Sequence, residues 1–152
     1  MIRIALSLLL AVLLSDQAAF AHCQIPCGIY DDEMRIQQVR EHIDTIEKSM
    51  TSIVDLSGHE TKDYNQIVRW VENKDEHAEF IEEIVSYYFL AQRIKPVEDK
   101  KADGYARQVE LLHSMLIYTM KAKQSTDLAF VEKLRGLVDE FEKSYFEPKK
   151  EG

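Results

Sequence analysis

Ile36, Val39, Ile43, Ile46, Met50 and Ile53 recur at a 3,4,3,4,3 spacing, with polar and charged residues between them. That spacing draws one apolar stripe along an α-helix and cannot place the same residues on one face of a strand. A helix with a single apolar face must bury it against another element. Asp31 or Asp32 can cap this helix, and Ser57-Gly58 is its expected stop. A second helix is predicted from near Thr61, carrying Tyr64, Ile67, Val68, Val71, Ala78, Ile81, Ile84, Val85 and Tyr88, and ending before Pro96. A third follows Asp103-Gly104 with Tyr105, Val109, Leu112, Leu116 and Met120. The fourth follows Thr126-Asp127 with Leu128, Val131, Leu134, Val138, Phe141 and Tyr145. No stretch shows sustained alternation, and there is no internal repeat or low-complexity segment. The expected fold class is therefore all-α: an antiparallel four-helix bundle over residues 31–152, with short connections.

The formal net charge of −8 disfavours nucleic acid and anionic membrane surfaces as partners. Glu72-Asn73-Lys74-Asp75-Glu76-His77 is polar throughout and reads as a solvated face, with a bend or an intersubunit contact as the alternatives. Tyr87-Tyr88-Phe89 reads equally as core or as a face continuing into an oligomer interface. A ferritin-like dimetal centre needs two Glu-x-x-His pairs, and only Glu110 to His113 is present. His42, His59 and His77 have no partner three or four residues away, so each reads as a surface or hydrogen-bonded histidine. Phosphate-binding glycine loops, nucleophile elbows and zinc-protease helices are missing from the sequence.

Chemistry concentrates ahead of the first helix. Residues 1–21 read as a secretory signal peptide, removed on export: Arg3 is basic, Ile4 to Leu14 is an apolar run of eleven residues, and Ala19-Phe20-Ala21 is a small-x-small cleavage site. Such a run is shorter than the roughly 17–25 residues of a membrane-spanning helix, so no stable membrane association is expected. Arg3 and Asp16 cancel, which leaves the mature chain of 131 residues at the same net charge. Export places the protein in the periplasm or outside the cell.

Cleavage after Ala21 makes His22 a free N-terminus, followed by Cys23-Gln24-Ile25-Pro26-Cys27-Gly28-Ile29-Tyr30. The α-amine of His22 and the amide nitrogen of Cys23 are two carbons apart, as are that amide and its own Sγ, so a metal can close two fused five-membered rings. Cys27 fills a fourth planar position if the chain doubles back, which Pro26 and Gly28 allow. The imidazole of His22 is left free for an axial position. Two nitrogens and two sulfurs in a plane suit nickel(II) or copper(II) better than zinc.

At these residues the chain resembles the nickel superoxide dismutases, whose mature N-terminal hook reads His-Cys-x-x-Pro-Cys-Gly-x-Tyr; His22, Cys23, Pro26, Cys27, Gly28 and Tyr30 match it position by position. The resemblance implies four-helix bundles assembled as homohexamers that convert superoxide to hydrogen peroxide and dioxygen. It further implies one nickel ion per subunit, cycling between Ni(II) and Ni(III), held by His22, Cys23 and Cys27 over residues 22–30. Catalytic roles fall to His22 and to Tyr30, beside the substrate approach. Asp32 departs from members that have Pro there and is expected to alter only the start of the first helix. An anionic substrate on an acidic protein needs a local positive field, for which Arg35, Lys62, Arg69 and Lys74 are the expected residues. Two alternatives stand beside the enzyme: an exported copper- or nickel-binding carrier, and a helical interaction domain stapled by a Cys23 to Cys27 disulfide.

Overall fold

Asp31 starts the first helix as expected, its Oδ1 accepting the Met34 N–H at 3.0 Å. The computed structural model describes residues 26–96 and 103–146, so the leader and the hook residues His22 and Cys23 lie outside the described residues. Helix α1 spans Asp32–Gly58, and all six stripe residues are buried. Helix α2 spans Tyr64–Glu83 behind an Asp63 cap and continues without a break as a π-helical segment over Ile84–Arg93. Helix α3 spans Asp103–Lys123, and α4 spans Ala129–Phe146 after Asp127 accepts the Ala129 N–H. Among the described residues there is no strand.

The helices pack in a ring, α1 on α2 and α4, α3 on α2 and α4. Pairs along each seam run in opposite chain directions, which makes the bundle antiparallel. Between α1 and α2, Arg35 lies over Tyr88, His42 meets His77 and Ser49 accepts from Asn73. Between α1 and α4, Asp32 accepts from Tyr145, Arg40 pairs with Asp139 and Glu142, and Arg135 pairs with Asp44 and Glu47. Solvent-facing pairs of this kind contribute about 0–1 kcal/mol each, so they fix register more than stability. The apolar seam and a ring cluster supply the stability: Phe89 meets Phe141 edge to face at 4.9 Å, and Tyr88 and Tyr145 pack on Phe89.

Several sequence expectations change at the level of helix rotation. The buried face of α3 is Leu111, Leu112, Met115, Thr119 and Ala122, while Met120 points outward. The run from Leu111 to Tyr118 is apolar nearly all round, so periodicity could not choose the face, and small or polar Ala122 and Thr119 gave no apolar signal. Tyr88 and Phe89 belong to the core and only Tyr87 of that trio is exposed. Tyr64, Val68 and Val71 of α2, expected on a buried stripe, are exposed, as is Leu128.

The polar run in α2 is not a solvated face. Asn73 donates to Ser49, His77 meets His42, and Lys74 is 3% exposed. Lys74 sits four residues before Ala78 and seven before Ile81, on the buried stripe itself. Its Nζ donates to the carbonyl oxygens of Ala122, at 3.0 Å, and of Lys123, and to Asp75 at 2.8 Å. All three ammonium protons are thus used. The two carbonyls belong to the last turn of α3, where a helix leaves acceptors unpaired and where a cation complements the helix dipole. Lys74 therefore ties α2 to the end of α3 and does not steer a substrate. Lys74→Met should cost about 1–3 kcal/mol in urea unfolding, because both carbonyls lose their donor. Faster amide exchange confined to the last turn of α3 should accompany it; unchanged stability would show that water replaces the ammonium.

Candidate metal centre

The described part of the hook is a bend made by Pro26, Cys27 and Gly28. Gly28 adopts φ +79°, the left-handed region that glycine enters without steric cost. Cys27 is exposed beside this turn. Two residues later Tyr30 lays its ring edge to face against Tyr88, 5.9 Å between centroids, and the Arg93 guanidinium stacks over the same ring at 4.3 Å. The hook thus enters the bundle through a tyrosine held between the end of the second helix and the start of the first.

Asp32 ties these parts together. Its Oδ1 accepts from the Tyr88 hydroxyl at 2.6 Å and from Arg93 Nε at 2.8 Å, and its Oδ2 accepts from Arg93 Nη2 at 2.6 Å and from the Tyr145 hydroxyl at 2.8 Å. The Arg93 contact is the two-pronged guanidinium–carboxylate fork, stronger than a neutral hydrogen bond. Burial opposes ionisation of Asp32, yet the bonds from Arg93, Tyr88 and Tyr145 outweigh it and hold its carboxyl below the ordinary value. Conversely, burial and then the Asp32 charge push the Tyr145 hydroxyl up to about 12 and that of Tyr88 higher still. Both tyrosines therefore stay protonated donors at neutral pH. Asp32 does far more than alter the start of the helix.

The π-helical segment is what lets Arg93 and Tyr88 share one carboxylate. In an α-helix of about 3.6 residues per turn, residues five apart point about 140° away from each other. Hydrogen bonds from i+5 to i, such as Ile94 N–H to Phe89 O at 2.9 Å, widen the turn and bring such residues closer to one face. Tyr88 and Arg93 are five apart.

Of the four cations expected to steer an anion, only Arg35 lies at this end. Lys62 and Arg69 flank the connection at the opposite end of α1, about 40 Å away for a 27-residue helix, and Lys74 is buried. Arg35 Nη1 donates to Gln38 at 2.9 Å and its guanidinium lies 5.1 Å over Tyr88. It forms no salt bridge among the described residues, and its Nε is shielded from solvent with no hydrogen-bond partner. A cation without a carboxylate partner thus stands at the root of the hook.

The family model for nickel-containing superoxide dismutase matches residues 17–149, which takes in the hook and all four helices. The chain belongs to the nickel-containing superoxide dismutases. It is an oxidoreductase acting on superoxide with nickel as its cofactor. No curated protein and no solved structure gives a match.

For a nickel superoxide dismutase the donor chemistry present is suitable. Cys27 offers a thiol on an exposed bend, and the unpartnered Arg35 Nε at the hook's root favours negative charge there. Among the described residues no cluster of three or more His, Cys, Asp or Glu could hold a metal. Asp32, Tyr88, Arg93 and Tyr145 were not singled out as site residues by sequence. One signal could have found them: in an antiparallel bundle the start of the first helix shares an end with the finish of the second and fourth, and that is where Tyr88, Arg93 and Tyr145 lie. Asp32→Asn should cost about 1.5–3 kcal/mol, the range for hydrogen bonds to a charged group. Because the folded carboxyl is held low, its contribution is complete above the ordinary value of 3.8 and is lost as pH falls through the folded value. The variant should therefore lose less stability than the parent on acidification below that value, as denaturant unfolding against pH would show; parallel profiles would contradict the coupling.

Proposed function

We propose that the mature enzyme is exported, begins at His22, and holds one nickel ion per subunit through the α-amine and imidazole of His22, the amide and thiolate of Cys23, and the thiolate of Cys27. The observation that carries this reading is the hook sequence within a chain that the nickel superoxide dismutase model matches from residue 17 to 149. Nickel bound there supplies Ni(II)/Ni(III) cycling, by which one superoxide is oxidised to dioxygen and a second, with two protons, is reduced to hydrogen peroxide. Anionic thiolate and amidate donors raise electron density at the site and so bring the trivalent state within reach. The His22 imidazole would be the donor that supports that state.

Tyr30 stands at the approach to the site, where its ring, pinned between Tyr88 and Arg93, narrows access and its hydroxyl orients water. Arg35 supplies the local positive field that an anionic substrate needs on a protein of net charge −8. The subunits assemble as a homo-oligomer, a hexamer by family resemblance. Exposed Val54, Tyr64, Val68 and Val71 at the far end of the α1–α2 pair support an assembled state. No helix among the described residues is long and apolar enough to cross a membrane, and the periplasm or extracellular space is the proposed location.

Terminal sequencing, metal analysis and a superoxide consumption assay on purified exported protein test this together. The expected result is an N-terminal His22, one nickel per chain and dismutase activity. One extra residue ahead of His22 should abolish activity, since the amine becomes an amide and leaves the fused ring. Full activity with that extension, or an intact Cys23 to Cys27 disulfide in active protein, would overturn the ligand set. Arg35→Gln should lower kcat/KM and flatten its dependence on ionic strength, because attraction between charges is what salt screens. An unchanged salt dependence would remove Arg35 from the approach.

A further inference from the structure

The His42 and His77 rings face each other across the seam between α1 and α2, with Nδ1 atoms 2.9 Å apart. Their centroids are 5.0 Å apart at 64°, and Phe80 walls both rings, at 5.2 Å from His42 and 5.6 Å from His77. Each ring is half-buried. The pair lies ten residues along α1 from Asp32, about 15 Å by helical rise, and no part of the dismutase reading uses it.

We infer that His42 and His77 form a second metal site on the flank of the bundle, a two-imidazole site for copper(II) or nickel(II) completed by water. The 2.9 Å separation is that of an ordinary hydrogen bond, and it is also one that those ions accommodate. With metal–nitrogen bonds of about 2.0–2.1 Å, two adjacent donors of a square plane or octahedron stand about 2.9 Å apart, whereas tetrahedral zinc would hold them at about 3.3 Å. Both donors come from helices whose register is fixed on either side, by Ser49 with Asn73 and by Arg35 with Tyr88, so little ordering remains for the metal to impose. Among the described residues no third His, Cys, Asp or Glu joins the pair, and water fills the remaining positions.

Without metal, one ring donates its Nδ1–H and the other accepts. Burial, and then the charge of His77, hold His42 below the ordinary histidine value against the opposing pull of Glu41, which keeps a lone pair available at neutral pH. Metal binding needs both Nδ1 lone pairs. A neutral donating ring moves its proton from Nδ1 to Nε2 through water, so that both rings present Nδ1 to the metal as Nε2–H tautomers. The orientation required is that of a metal-ligating imidazole whose other nitrogen remains free to donate.

The test uses the full chain carrying His22→Ala, Cys23→Ser and Cys27→Ser, so that the imidazole and thiolates of the hook do not compete for the ion. Substoichiometric copper(II) should broaden the ring resonances of His42 and His77 ahead of those of exposed His59 and His113, and saturation should reveal a bound ion with two equivalent imidazole nitrogens by pulsed electron paramagnetic resonance. Adding His42→Gln or His77→Gln should weaken that binding roughly tenfold or more, as loss of a metal's imidazole support does. In the thiol-containing protein the same substitutions should leave dismutase activity unchanged. Broadening of all histidines in step, or copper affinity unaltered by both substitutions, would overturn the inference. The resonance measurement is made with the pair intact and decides the matter even if a variant folds poorly.

Discussion

The end of the bundle where the first helix starts depends on one carboxylate receiving three side chains from two other helices. Asp32 is the first residue of α1 and follows directly on the hook, and it accepts from Tyr88 and Arg93 of the second helix and Tyr145 of the fourth. A half-buried charge is costly unless it is paired and fully hydrogen-bonded, and here both oxygens are satisfied. The consequence is mechanical as much as energetic. With three helices converging on Asp32, two residues after Tyr30, the Tyr30 ring has a fixed platform in Tyr88 and Arg93.

That arrangement required a departure from regular helix. Continued α-helical winding would have sent Arg93 to a different face from Tyr88, and the widened turns of Ile84–Arg93 reduce the mismatch enough for both to reach Asp32. The same turns bury Val85, Tyr88, Phe89 and Ile94 together, so the aromatic core against Phe141 and Tyr145 and the polar knot on Asp32 are consequences of one local winding. Arg93 serves twice, forking to Asp32 and stacking on Tyr30, and a lysine could do neither as well because its charge is not planar.

At the opposite end of the bundle, Lys74 solves the complementary problem. The last turn of α3 carries acceptors with no partner within the helix, and a buried ammonium from α2 takes two of them. Asp32 holds one end by receiving donors and Lys74 the other by giving them. In both cases a charge on an otherwise apolar stripe is retained because backbone or side-chain partners satisfy every site it offers.

The sequence by itself determined the helix count, the antiparallel bundle, the α1 stripe from Ile36 to Ile53, a cap at Asp31 or Asp32 and the hook with its family, because periodicity, capping and motif spacing are local properties written along the chain. It also anticipated the left-handed bend at Gly28. Only the tertiary structure decided which way α3 faces, that Lys74 is interior, that His42 and His77 meet, and that Arg35 rather than Lys62 or Arg69 stands by the hook. Those outcomes depend on the rotation and register of helices against one another. A contact between residues 32 and 145 leaves no trace in the spacing around either, since each satisfies its own local pattern whether or not the other is near.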